Sequence, residues 1–97
     1  MTCQVVLEVK IKADCVEKTR SWFREILPET RAFAGFVSLN ATQNTDDPTD
    51  LMIVEQWDTR EAYEKYLGWR TERGDMETIG AMVASEPKIR FFDYFGV

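Results

Sequence analysis

The sequence predicts an α+β fold in the order β-α-β-β-α-β, a four-stranded antiparallel sheet with its helices on one face, as a single domain spanning residues 1–97. Three observations predict it. Residues 4–11 alternate apolar and polar, the mark of a half-buried strand. Apolar stripes at helical spacing follow Asp14 and Asp58, each acid preceding a Glu by three positions in the manner of a capping box. Asn44-Thr45-Asp46-Asp47-Pro48-Thr49-Asp50 is a dense turn between two strand-like runs, which makes those runs a hairpin.

The first strand, Gln4 to Ile11, sets Val5, Leu7, Val9 and Ile11 on one side and Val6, Glu8, Lys10 and Lys12 on the other. A helix capped by Asp14 then carries Val16, Thr19, Phe23 and Ile26 along one stripe, flanked by Trp22 and Leu27, and ends near Pro28 to Thr30. Packing is the simplest use of Trp22 and Phe23. Gly35 opens a second strand, Phe36 to Gln43, with Val37, Leu39 and Ala41 facing one way and Ser38, Asn40 and Thr42 the other. The third strand is the apolar run Leu51-Met52-Ile53-Val54, continued by Glu55 and Trp57 on a shared face.

Asp58 or Thr59 caps the next helix, so the chain turns from strand to helix almost without a loop. Ala62, Tyr66 and Trp69 recur at i, i+4 and i+7, with Tyr63 and Leu67 beside them, and rings converge from strand and helix. The bland reading of that convergence is an ordinary core; the sharper one is a cavity lined by rings and polar tips. Arg70 to Arg73 reads as a charged, solvated run, Gly74 breaks the helix, and Asp75 caps a further helical piece carrying Met76, Ile79, Met82 and Val83. After Pro87 the last strand, Lys88 to Phe95, sets Ile89, Phe91, Asp93 and Phe95 opposite Lys88, Arg90, Phe92 and Tyr94. The whole is a twofold repeat of a split unit, a ferredoxin-like arrangement. Its helix-free sheet face mixes apolar and polar residues, and pairing two such faces in a homodimer would cover both.

Composition narrows the function. A formal charge of −5 and a pI near 4.7 oppose phosphate polyanions, so neither nucleic acid nor an anionic membrane is an expected partner. The chain has no histidine, which removes the commonest metal ligand, the usual near-neutral base and any His-ligated haem. Cys3 and Cys15 match no zinc or CxxC spacing, and no leader or membrane-spanning stretch is evident, so a reducing cytoplasmic location is expected. The Asp46, Asp47 and Asp50 cluster lacks the Gly and terminal Glu of a calcium loop and is read as a solvated tip, with no metal. The same strand order serves RNA-recognition domains, but the aromatic segment near Phe33 to Val37 falls on the wrong strand with the wrong spacing.

Gly35-Phe36 leading a strand, Asp47-Pro48 in a hairpin, Val54-Glu55-Gln56-Trp57-Asp58 with Glu61-Ala62 following, and a terminal Ile89-Arg90-Phe91-Phe92 occur in that order. Together they resemble the antibiotic biosynthesis monooxygenase family of dimeric α+β barrels. The resemblance implies a homodimer and a cavity between sheet and helices. Among the activities it suggests is cofactor-independent oxygenation of small aromatic substrates, anthrone- or quinol-like; haem-degrading members and many proteins of unassigned role belong there too. Carried onto this chain, the resemblance makes Trp57, Tyr66 and Asn40 catalytic candidates and Tyr63, Trp69 and Arg90 substrate-binding candidates. Many relatives carry a His on the helix after E-x-W; here Lys65, Tyr66 or Leu67 stands there, with Tyr66 the favoured substitute. Proton abstraction then falls to Tyr66, Tyr63 or Glu55, or to the substrate's own acidity. Arg70 or Arg90 could assist electrostatically, a surface salt bridge being the simpler use of each. The expected reaction needs neither metal nor flavin, and the competing expectation is a non-catalytic dimer that binds a small ligand or serves as an accessory protein.

Overall fold

A computed structural model describes residues 2–97. Strand β1 (Cys3–Lys10) is followed by a single 3-10 turn (Ala13–Cys15), helix α1 (Val16–Arg31), strands β2 (Phe36–Gln43) and β3 (Asp50–Trp57), helices α2 (Arg60–Glu72) and α3 (Asp75–Met82), and strand β4 (Lys88–Asp93). The strands form one sheet in the order β2-β3-β1-β4, every neighbouring pair antiparallel. This is the ferredoxin-like α+β arrangement that the alternation and the turn predict.

The alternation of β1 works as expected. Val5 and Val9 are buried beneath the helices at 0% and 2% exposure, while Glu8 and Lys10 turn to the open side. Ile11 falls just outside the strand and makes a lone bridge to Val83, which ties the end of α3 to the sheet. Hairpin β2-β3 closes on the acidic turn, where Asp47 accepts from Thr49 and from Lys10 of β1 at 3.0 Å, and Asp50 accepts from Asn44 at 2.9 Å.

Local expectations are corrected at several points. Asp14 does not cap α1; it sits in the 3-10 turn, and the helix begins at Val16 with no side-chain cap. Helix α1 ends at Arg31, one residue past the expected Pro28 to Thr30 end, and Arg70 of α2 holds its Ile26 carbonyl and Thr30 hydroxyl. In β2 a bulge between Phe36 and Ser38 shifts the alternation by one. Phe36 therefore joins Leu39 and Ala41 on the helical side, and Val37 is left 47% exposed. Strand β4 ends at Asp93, two residues early, since the register with β1 runs out at Cys3.

Between β3 and α2 the connection is as short as expected, and Thr59, not Asp58, is the cap: its hydroxyl accepts from the Ala62 N–H at 3.1 Å. Gly35 makes this junction possible. Its φ of +89° suits glycine, its carbonyl accepts the Asp58 N–H at 2.8 Å, and a Cβ there would lie 2.6 Å from the Ala62 Cβ. At the far end of α2, Gly74 (φ +84°) reverses the chain into α3, so Asp75 is the first residue of that helix rather than its cap.

Candidate functional site

Helix α2 and strand β3 bring the aromatic residues together as their spacing implies. Trp57 is fully buried, edge-on to Phe36 (5.4 Å between centroids) and Tyr63 (5.7 Å) and tilted against Tyr66 (5.0 Å). Its indole N–H donates to the Glu55 carboxylate at 2.9 Å. The two-residue spacing on one strand face sets that bond: both side chains point to the helices, and a Trp reaches back across one pleat.

Glu55 is the chemically distinctive group. It is 4% exposed in the middle of an apolar layer. Burial disfavours the charged form and pushes its pKa from 4.5 up to about 7, outweighing the Trp57 hydrogen bond, which acts in the opposite sense. A carboxyl poised near neutrality can take a proton and return it. Burial, with Glu55 and Tyr66 nearby, also raises the Tyr63 pKa, so Tyr63 stays a phenol and a hydrogen-bond donor.

Glu55 opens onto a cavity of about 300 Å³ between the sheet and the helices. Leu7, Leu39 and Ile53 form its floor, Trp22, Phe23 and Ile26 one wall, Tyr63, Tyr66 and Leu67 another, with Met76 and Ile79 of α3 above and Glu86 also in the lining. Its volume lies at the lower end of the range, roughly 300–1,000 Å³, in which small-molecule sites fall.

Around the Tyr66 hydroxyl lies a polar network. Arg70 is 1% exposed, and all five of its N–H groups are engaged. Nε donates to the Tyr66 hydroxyl (2.9 Å), Nη1 to Asp75 (2.9 Å) and Glu29 (3.3 Å), and Nη2 to the Ile26 carbonyl (2.8 Å) and Thr30 (2.9 Å). The Thr30 and Tyr66 hydroxyls bond to each other at 2.7 Å. Arg70 is thus not on a solvated face. Its neighbours in sequence are charged, but Tyr63, Tyr66 and Arg70 are spaced i, i+3 and i+7, which turns Arg70 inward with the rings.

Of the six residues singled out from the sequence, the structure brings Trp57, Tyr63, Tyr66 and Trp69 into one cluster. Tyr63 and Tyr66 line the cavity. Trp57 lies behind the lining and holds Glu55, and Trp69 packs outside it, between Phe33 and the guanidinium groups of Arg70 and Arg73. Asn40 and Arg90 are not part of the cluster. Asn40 is exposed on the opposite sheet face, in register with Val54; Arg90 is on that face too, over the Phe92 ring and 3.8 Å from Glu8. Glu55 and Arg70, named from the sequence only as alternatives, are the polar groups that the rings pack around. The signal for Glu55 was a single acid on the inward parity of an otherwise apolar strand. Thr30 had no such signal, because its role depends on the crossing of α1 and α2.

Among the described residues, no three His, Cys, Asp or Glu side chains gather into a metal-holding group, and no helix is long and apolar enough to cross a membrane. A family model for antibiotic biosynthesis monooxygenases matches residues 3–70. No curated protein is matched by the sequence. Solved structures of similar fold include an antibiotic biosynthesis monooxygenase (TM-score 0.84, 17% identity, covering 95% of this chain and 97% of that one). Another is Rv0793 from Mycobacterium tuberculosis (TM-score 0.85, 15% identity, covering 100% and 98%). A variant of SnoaB, a cofactor-independent oxygenase from Streptomyces nogalater, is similar too (TM-score 0.84, 12% identity, covering 99% and 95%).

Proposed function

Since the chain belongs to the antibiotic biosynthesis monooxygenase family, we propose that it is a cofactor-independent monooxygenase that oxidises a small anthrone- or quinol-like substrate in the cavity above Glu55. The observation that carries this reading is a buried carboxyl, near-neutral in pKa, opening onto a largely apolar, ring-walled cavity.

For an activated methylene between two aromatic rings, Glu55 would take one proton and leave a carbanion whose charge spreads onto the ring oxygen. In this reading the Tyr63 phenol donates to that oxyanion, while Tyr66, its hydroxyl held by Arg70 and Thr30, forms the wall beside it. The carbanion passes its electron pair to O2 in two one-electron steps, forming a C–O bond. The resulting hydroperoxide, protonated from Glu55, loses water to leave a carbonyl. One oxygen atom ends in the product and the other in water, and no outside reductant is consumed. The protein's contribution is orientation, exclusion of water and a well-placed base.

The same reading includes a homodimer formed through the open sheet face, where buried Val6 lies between Val54 and Arg90 with exposed Met52 and Phe92 on the same face. A cytoplasmic setting suits the two free, buried thiols. The test is oxygen consumption by purified protein against a panel of anthrones and naphthoquinols, corrected for autoxidation. Uptake proportional to protein concentration is expected. Uptake at the autoxidation rate across the panel, with ligand binding intact, would instead indicate a binding protein.

A further inference from the structure

The cavity holds charge of one sign that a ligand could meet. Two acids belong to its lining: Glu55 at the buried end and Glu86, which is exposed, toward solvent. Arg70 is the one cation among the lining residues described, and it has no hydrogen-bonding capacity left for a ligand, because Tyr66, Glu29, Asp75, Thr30 and the Ile26 carbonyl take all five N–H groups. Two carboxylates beside it also offset its charge.

From this arrangement we infer that the site rejects anionic ligands, so that its substrate is a neutral, weakly acidic aromatic molecule bearing hydroxyl or carbonyl oxygens but no carboxylate, sulfate or phosphate. A carboxylate entering the cavity gives up its water, finds no free cation, and meets Glu55 across a medium of low polarity. Turning the carboxylate outward places it toward Glu86. A neutral hydroxyl or carbonyl avoids both penalties and can still accept from the Tyr63 phenol. Arg70, which on sequence grounds could look like an anion receptor, is instead a positioning residue for Tyr66. The inference rests on the cavity being the ligand site proposed above, but not on the reaction assigned to it.

Calorimetric titration of the whole protein at pH 8 and low salt tests it, using pairs matched in shape and inert to oxygen. Naphthalene-2-methanol is compared with naphthalene-2-carboxylate, and anthracene-9-methanol with anthracene-9-carboxylate. At least one alcohol should saturate the protein, with its carboxylate partner binding at least about tenfold more weakly. Glu55→Gln should narrow that gap several-fold; Glu86→Gln, an exposed substitution that leaves the core untouched, should narrow it to a smaller degree. A carboxylate binding as tightly as its alcohol, or no alcohol reaching saturation, overturns the inference. Because heat of binding is read without turnover, selective binding with no oxygen uptake removes the proposed reaction alone. Uptake accompanied by equal binding of both members removes the selectivity alone.

Discussion

Replacing Arg70 by Met keeps most of the side chain's volume and deletes five donors at once. The structure sets the size of the effect. Nη1 is the closest partner of the Asp75 carboxylate, whose side chain is 11% exposed, and Arg73 at 3.6 Å is the cation that would remain to it. The Tyr66 and Thr30 hydroxyls and the Ile26 carbonyl lose a donor as well. Breaking a buried pair by removing one partner costs roughly 3–5 kcal/mol, and the surviving Arg73 contact argues for the lower end, about 3 kcal/mol. At roughly 4–8 °C per kcal/mol for a domain of this size, the melting temperature should fall by about 12–24 °C. Urea denaturation with an unchanged m-value measures the loss directly. Adding Asp75→Asn to the Met variant should recover about 1 kcal/mol or more, since the orphaned charge is then gone. A loss below about 1 kcal/mol for Arg70→Met would show that apolar packing replaces the network at no cost, and the view of Arg70 as the clamp between α1, α2 and α3 would fall.

Gly35→Ala should destabilise the fold by about 2–4 kcal/mol in chemical denaturation, because a Cβ would sit 2.6 Å from that of Ala62 on a backbone with φ +89°; Ala62→Gly should restore part of it. For Glu55 the sign follows from a raised acid pKa: the folded state binds the extra proton between pH 4.5 and about 7, so stability is complete below that window and is lost as pH rises through it. Unfolding free energies at pH 5 and pH 8 should show a fall larger by about 2–3 kcal/mol in the wild type than in Glu55→Gln. Light scattering at micromolar concentration should give twice the chain mass of 11.3 kDa, and Met52→Glu on the open sheet face should shift it toward the monomer.

The alternation in β1 and the dense turn were enough to place the strands, because sheet periodicity and turn chemistry are local properties. The bulge at Val37 was not readable, since it depends on how β2 meets Trp57 across the sheet rather than on β2 itself. Pro28 lies in the last turn of α1, close to the helix end that its chemistry implies, whereas the Arg70 contact with that turn comes from more than forty residues away and has no local signal. At the site, ring convergence followed from helical spacing. The division of labour did not: spacing shows that Glu55 and Trp57 share a face, but only the packing shows Glu55 on the cavity and Trp57 behind it. Asn40 and Arg90 came from family resemblance and strand chemistry, and strand parity places both on the other face.

The most direct test of the central claim is the pH dependence of kcat/KM for oxygen uptake, in wild type and in Glu55→Gln, on whichever anthrone or naphthoquinol the panel identifies. A base with a pKa near 7 predicts a rate that rises to a plateau above about pH 8 in the wild type. Glu55→Gln should lower the plateau by about 10²–10⁴-fold and abolish that limb, while the alcohol probes still bind. A Gln variant that turns over at the wild-type rate with the same pH profile would contradict the account, and would assign proton removal to the substrate's own acidity.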